Sequence, residues 1–154
     1  MSNGEFQFTW RTFDALSGQS LYAILKLRQD VFVIEQQCFY NDIDGDDPVA
    51  QHLLAMDGRN ECLSGYLRIT QDDDGSQRIG RVVVRQDRRG KGLSQAMLDE
   101  ALNYIQLDQP KATIVLSAQS YLLAMYEAVG FTATSTEYLE DGIPHIDMVF
   151  SPTA

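Results

Sequence analysis

The stretch from Gly80 to Gln95, GRVVVRQDRRGKGLSQ, constrains the fold of this chain more than any other. Val82-Val83-Val84 is a β-branched run that favours a strand. Arg85 to Gly92 interrupts it with Arg and Gly, and an apolar-periodic segment opens at Leu93. A strand that runs through a glycine-rich loop into a helix aims several backbone N–H groups and the positive end of a helix dipole at one point. An anionic phosphate sits well there. Four of the twelve Lys and Arg residues fall between Arg85 and Lys91, in a chain of net charge −10. The basic charge is therefore concentrated where phosphate would bind.

The remaining pattern supplies the elements around this core. Glu5 to Trp10 alternates polar and apolar residues as a strand does. From Asp14 to Glu35, Leu21, Ile24, Leu25, Leu27, Val31, Phe32 and Ile34 recur at helical spacing, giving one helix or two. Phe39 to Pro48, FYNDIDGDDP, is a loop. Val49 to Met56, Glu61 to Gln71 and Gln77 to Arg85 form three strands. They are separated by turn residues at Asp57-Gly58-Arg59-Asn60 and Asp72-Asp73-Asp74-Gly75. Leu93 to Ile105 is a helix, ended before Pro110. Thr113 to Leu116 is a short strand expected to be buried on both faces. Ser117 to Val129 is a helix capped by Gly130. Phe131 to Leu139 and Ile143 to Phe150 are strands joined by a turn at Glu140-Asp141-Gly142. The expected fold is α+β, or mixed α/β, with a sheet of about seven strands containing parallel and antiparallel pairs, in a single domain.

Bulk properties exclude several functions. No apolar run reaches the ~20 residues of a membrane span. The opening MSNGEFQFTW lacks the basic and apolar regions of a secretory signal. Cys38 and Cys62 do not make a disulfide framework, so a reduced, cytoplasmic protein is the plain reading. The acidic balance argues against nucleic-acid binding and suits a cationic small substrate. Two His and two Cys far apart in sequence make no metal site. Asp42-x-Asp44-x-Asp46 suggests a calcium loop, but position twelve is Leu53 where a bidentate Glu is required.

Three phosphate-binding motifs compete for the Gly-rich loop. A P-loop needs Gly-Lys-Ser/Thr after a spaced glycine, and none exists here. A dinucleotide fingerprint fails because Gln95 stands at the third glycine position and Ser117-Ala118-Gln119 carries no acid for a ribose. Arg89-Gly90-Lys91-Gly92-Leu93-Ser94 resembles the coenzyme A diphosphate loop of the GNAT superfamily of N-acetyltransferases, Q/R-x-x-G-x-G/A. Downstream, Gln119 followed seven residues later by Tyr126 and then by Gly130-Phe131 is similar to that family's second motif. Leu27 to Gln36, Cys38, Tyr40, Asp44-Gly45 and Tyr138 to Met148 resemble the ElaA group within the superfamily. The resemblance covers nearly the whole chain. Ser94 and Gln119 depart from the usual Gly or Ala and the usual Asn.

The resemblance implies an acyl-CoA N-acyltransferase fold and transfer of acetyl from acetyl-CoA to a primary amine, small molecule or peptide. It implies diphosphate binding by the backbone of Arg89, Gly90, Lys91, Gly92, Leu93 and Ser94. The Val82, Val83 and Val84 backbone would lie along the pantetheine, and one of its N–H groups would polarise the thioester carbonyl. Gln119 would lie beside the thiol. Tyr126 would protonate the departing thiolate, since a phenol is protonated at neutral pH. A general base must come from outside the two flanking strands, which lack carboxylates. Glu35, His52 and His145 are the candidates. The substrate wall is expected from Glu35 to Asp47 and from Tyr138 to His145, whose Asp42, Asp44, Asp46, Asp47, Glu140 and Asp141 would attract a protonated amine. The alternative is a coenzyme A-binding module without catalysis. An exposed sheet edge also leaves room for a homodimer.

Overall fold

The computed structural model describes residues 5–58 and 62–151. The expected turn at Arg59 and Asn60 and the strand start at Glu61 lie outside the described residues.

One mixed sheet runs through the molecule in the order β1-β2-β3-β4-β5-β8-β6, with β7 also paired to β8. Its strands are β1 (Phe6–Thr12), β2 (Gln51–Asp57), β3 (Cys62–Gln71), β4 (Gln77–Val84), β5 (Ile114–Gln119), β6 (Phe131–Ala133), β7 (Tyr138–Glu140) and β8 (Ile143–Phe150). The first four form an antiparallel meander, and β4 and β5 pair in parallel. The predicted strand over 131–139 is broken by an irregular 134–137, which gives eight strands rather than seven.

Strand alternation divides the core between the two faces of the sheet. Leu53, Leu67, Ile69, Ile79 and Val84 pack with Leu93, Met97, Leu98, Ala101 and Ile105 of α2 (Leu93–Asp108). Their chain neighbours Leu54, Tyr66 and Val83 pack instead with Ile24 and Leu27 of α1 (Gly18–Arg28) and with Val31. Adjacent residues of one strand point to opposite faces, so each strand here serves both layers. Helix α2 lies so close to β3 that a Cβ on Gly65 would sit 3.0 Å from Met97 Sδ. Trp10 of β1 stacks on Tyr104 of α2 at 4.0 Å and donates its indole N–H to Glu100 at 2.8 Å.

The helical region after β1 is less regular than its sequence suggests. Ser17 caps α1 by accepting the Ser20 N–H at 3.0 Å. From Gln29 to Glu35 the helix widens into π geometry, with Gln36 N–H bonded to Val31 and Cys38 N–H to Val33. The expected helix over 117–129 is shorter. β5 extends through Gln119 because Ser117, Ala118 and Gln119 pair with Asp147, Ile146 and His145 of β8. Helix α3 then covers Leu123–Val129 after one 3₁₀ turn. Nor is β5 buried on both faces. Ile114, Leu116 and Ala118 are buried, whereas Val115, Ser117 and Gln119 are only half-buried. Among the described residues, no helix is long and apolar enough to cross a membrane.

Candidate active site

The site begins where two neighbouring strands part. β4 and β5 are paired only at Gln77–Ile114 and Arg78–Val115. Beyond those pairs the strands diverge, and an open cleft of about 760 Å³ lies between them. Val82, Val83 and Val84 line it from β4, and Leu116, Ser117 and Gln119 from β5. On its other edge β4 pairs with β3, and there the register slips between Tyr66–Val83 and Arg68–Gly80. Arg81 and Val82 thus stand opposite the single residue Leu67, a β-bulge that re-aims the strand beside the cleft. Arg81 takes a left-handed φ of 54°, which is unusual for a residue with a side chain. The bulged residues themselves carry side chains, and in the sequence only the neighbouring Gly80 marks the position.

The Gly-rich loop closes one end of the cleft. After a 3₁₀ turn at Gln86–Arg88 the chain passes Gly90 at φ 78° and Gly92 at φ 76°. A Cβ on either would meet nothing within 4 Å, so glycine serves the left-handed backbone rather than space. The first intrahelical bond of α2 runs from Ala96 N–H to Gly92. The N–H groups from Gly92 to Gln95 precede it and point out of the positive helix end. Arg89 and Ser94 line the cleft, while Gly90, Lys91, Gly92 and Leu93 are not in its lining.

The loop's basic side chains are all engaged with carboxylates. Arg89 grips Glu35 at 2.7 and 2.9 Å and also donates to the Val84 carbonyl at 3.1 Å. Lys91 reaches Glu5 at 2.7 Å, Arg85 pairs with Asp87 and Arg88 with Asp57. The concentration of positive charge read from the sequence is therefore compensated in the fold. What the loop offers uncompensated is its backbone.

Tyr126 of α3 lines the same cleft and is 6% exposed. Its ring meets Phe131 edge-on at 6.3 Å. Among the described residues its hydroxyl has no hydrogen-bond partner. Burial, with a smaller contribution from Tyr121, pushes its pKa up to about 12, so the phenol is firmly protonated at neutral pH. Gln119 ends β5 and exchanges two amide hydrogen bonds with Gln36, at 3.2 and 3.3 Å. The Cys38 thiol reaches the Asp141 carbonyl at 3.3 Å. These contacts join the end of the first helical region to the β7–β8 turn, so the two segments expected to flank the site do meet there.

The three base candidates separate clearly. His52 is fully buried and absent from the cleft lining. Its Nε2–H donates to the Asp47 carbonyl at 2.9 Å, and its Nδ1 takes the Tyr66 hydroxyl at 2.5 Å. Both nitrogens are occupied, and burial lowers its pKa, so the ring is a neutral structural strut rather than a base. Glu35 lines the cleft, but its hydrogen bond to Arg89 holds its carboxyl below the usual range and makes it a weak base. His145 also lines the cleft. Its Nδ1 lies 2.7 Å from the Ile143 carbonyl, which can only accept, so Nδ1 carries the proton. In the neutral ring the lone pair is then on Nε2, 3.6 Å from Glu140.

The Asp-rich loop is no free anionic mouth. Arg28, with no exposed surface, holds Asp42 at 2.9 Å and Asp47 at 2.8 Å. Arg68 holds Asp44 at 2.6 Å and Asp47 at 2.9 Å, and Arg81 holds Asp42 at 2.9 Å and Asp44 at 3.3 Å. Burial alone would raise the Asp44 carboxyl. The hydrogen bonds from Arg68 and the Asp46 N–H, with the Arg68 and Arg81 charges, hold it well below the usual range. Asp47 is likewise lowered by Arg28 and Arg68 against the effect of burial.

A row of hydrogen-bonded polar side chains runs from β4 across β5 to β8, and Arg78, Ser117 and Asp147 within it line the cleft. Asp72 takes three guanidinium bonds from Arg78, at 2.9 to 3.1 Å. Arg78 Nη1 donates to Ser117 Oγ at 3.2 Å, and Ser117 donates to Asp147 Oδ1 at 3.0 Å. The Tyr138 hydroxyl donates to the same oxygen at 2.5 Å. Sequence reasoning passed over Asp147. The signal available was its spacing, two residues from His145 on one face of β8.

A family model for the acetyltransferase (GNAT) domain matches residues 15–152. Protein ElaA of Escherichia coli is 40% identical over 135 residues, 86% of this chain and 88% of that protein. A crystal structure of ElaA superposes with a TM-score of 0.88 and 37% identity, covering 95% of this chain and 99% of that one. A UPF0039 protein of Schizosaccharomyces pombe is 39% identical over 149 residues, covering 96% of this chain and 97% of that protein. An acyl-CoA N-acyltransferase from Pseudomonas aeruginosa also matches with a TM-score of 0.88, at 39% identity over 95% of this chain and 99% of that one. The split between β4 and β5, the glycine loop at its end and these likenesses agree: the chain belongs to the GNAT family of acetyltransferases, in its ElaA-like group.

Proposed function

We propose that the chain acts as one GNAT domain that moves an acetyl group from acetyl-CoA to a primary amine by direct transfer. The observation that carries this reading is the protonated Tyr126 hydroxyl, without a hydrogen-bond partner among the described residues, in the cleft whose end is the Gly90–Gly92 loop. The backbone N–H groups from Gly92 to Gln95 would hold the diphosphate, and the free edge of Val82, Val83 and Val84 would lie along the pantetheine. Acetyl-CoA supplies an activated acyl carbon and a thiolate leaving group. Tyr126 donates its proton to the departing sulfur. His145 Nε2 takes a proton from the ammonium, so that nitrogen attacks with a free lone pair, and the second proton it sheds as the amide forms returns to Tyr126. An ammonium and a thioester give an amide, a thiol and one released proton.

Two measurements test this. Calorimetry with coenzyme A should give saturable binding to one site per chain. A thiol-release assay with acetyl-CoA and a panel of amines, amino acids and peptides should then show amine-dependent release. Binding without release for any amine would favour a coenzyme A-binding module without catalysis. Absence of binding would refute the loop assignment itself.

A further inference from the structure

We infer that Asp147 forms the acceptor subsite and that it receives a primary ammonium group. The inference rests on the acetyl-transfer reading above and adds the residue that holds the second substrate. Asp147 lines the cleft from β8 and is half-buried. Its Oδ1 is fixed by two hydroxyl donors, Ser117 and Tyr138. Its Oδ2 accepts no hydrogen bond among the described residues, and no Lys, Arg or His lies within 4 Å of either oxygen. The neighbouring cation, Arg78, gives three bonds to Asp72 and turns only Nη1 toward Ser117, so it acts on Asp147 through space and makes no ion pair with it.

Two other carboxylates of the cleft contrast with this, whereas Asp46, Glu140 and Asp141 line it without a close Lys or Arg but lack the paired hydroxyl donors that fix Asp147. Glu35 is matched by Arg89, and Asp44 by Arg68 and Arg81. A half-buried carboxylate with one oxygen locked by hydroxyls and the other without an ion pair gains by meeting a cation. A protonated amine supplies that cation together with three N–H donors. The subsite also lies beside the base. His145 and Asp147 share a face of β8, two residues apart, and pair across β5 with Gln119 and Ser117. An ammonium on Asp147 Oδ2 can pass one proton to His145 Nε2 and become the neutral nucleophile. The tyrosine of the row, Tyr138, stacks on His145 with ring centres 6.1 Å apart and so holds both groups in register.

The decisive variant is Asp147→Asn. Its amide oxygen still accepts from Ser117 and Tyr138, while the charge at Oδ2 is gone. The probe is n-butylammonium, added to the protein saturated with coenzyme A, with n-butanol as the neutral control. In wild type, the side-chain carboxyl ¹³C resonance of Asp147 should move on titration with n-butylammonium and stay still with n-butanol. The variant should bind n-butylammonium at least about tenfold more weakly, the usual loss for one charge-assisted hydrogen bond, with coenzyme A affinity unchanged. With any amine that supports turnover, KM should rise by a similar factor. Equal n-butylammonium affinity in the variant, or an unmoved carboxyl resonance, overturns the subsite while leaving the acetyl-transfer reading intact. Loss of coenzyme A binding in the wild type would instead overturn that reading.

Discussion

Replacing Tyr126 by Phe separates catalysis from stability more cleanly than any other change in this protein. The Tyr126 hydroxyl has no hydrogen-bond partner among the described residues, so its removal breaks none. The ring keeps its edge-on contact with Phe131 at 6.3 Å. Melting should therefore shift by less than about 2 °C, corresponding to under about 0.5 kcal/mol in a chain of this size. The rate should respond very differently. With a pKa of about 12 the phenol is protonated in essentially every molecule at neutral pH. A positioned general acid contributes roughly 10²- to 10⁴-fold, or about 3 to 5 kcal/mol of barrier. The thiol-release assay should show kcat falling by that factor, while calorimetry gives an unchanged coenzyme A affinity. A second signature lies in alkali. Burial raises the native phenol above its value in the unfolded chain, so its contribution to stability is complete below about pH 10. It declines as pH rises toward 12, and the Phe variant should lose that part of the alkaline slope. A variant with kcat within threefold of wild type would refute the assignment. So would a rate loss matched by an equal loss of coenzyme A affinity, because Tyr126 would then be packing the cofactor rather than delivering a proton.

Arg28→Met should destabilise the protein by about 3 to 5 kcal/mol, because it leaves Asp42 and Asp47 buried without their guanidinium; thermal melting should fall by roughly 10 °C, and a shift under about 2 °C would show that the cluster adds little. Asp44, Asp47 and Glu35 all have native pKa values held below their unfolded ones. Their contribution is present above about pH 4 and is lost as pH falls further, so melting temperature should drop steeply below pH 4, and Arg68→Met should flatten that drop. Glu35→Gln frees Arg89 from its bidentate pair; if that guanidinium reaches the diphosphate, coenzyme A should bind up to about fivefold tighter by calorimetry, the worth of one exposed pair, whereas weaker binding would mean that Glu35 orders the loop.

The elements around the glycine loop were the most legible. Val82-Val83-Val84 followed by glycines at positions 90 and 92 announces strand, left-handed turn and helix through local chemistry alone, and the fold bears each part out. Local chemistry failed where a distant partner decides. Ser117 to Gln119 has no strong strand preference, yet hydrogen bonds to β8 draw it into the sheet and push the helix start back to Leu123. The π turn at Gln29–Glu35 leaves no composition signal, since it uses neither Gly nor Pro, and the bulge at Arg81 leaves only Gly80 beside it. Of the base candidates, His52 and His145 looked alike in sequence. Only the fold shows that one has both nitrogens occupied in the core and the other lines the cleft with Nε2 3.6 Å from Glu140.

The Asp-rich loop teaches the same point about charge. Four aspartates within six residues, Asp42 to Asp47, read as an anionic mouth for a cation. The arginines that answer them stand 14 to 39 residues away along the chain. Arg28 arrives on α1, Arg68 on β3 and Arg81 at the bulge of β4. The loop is thereby bolted to the sheet beside the cleft, and Asp42, Asp44 and Asp47 serve as structural counter-ions, while Asp46 stays exposed. Asp147 of β8 makes no ion pair among the described residues, and its hydroxyl donors both meet the same oxygen. The density of acidic residues along a sequence is therefore a poor guide to where a cation will bind. What matters is which charge the folded chain leaves unmatched, because only that one gains by meeting a ligand.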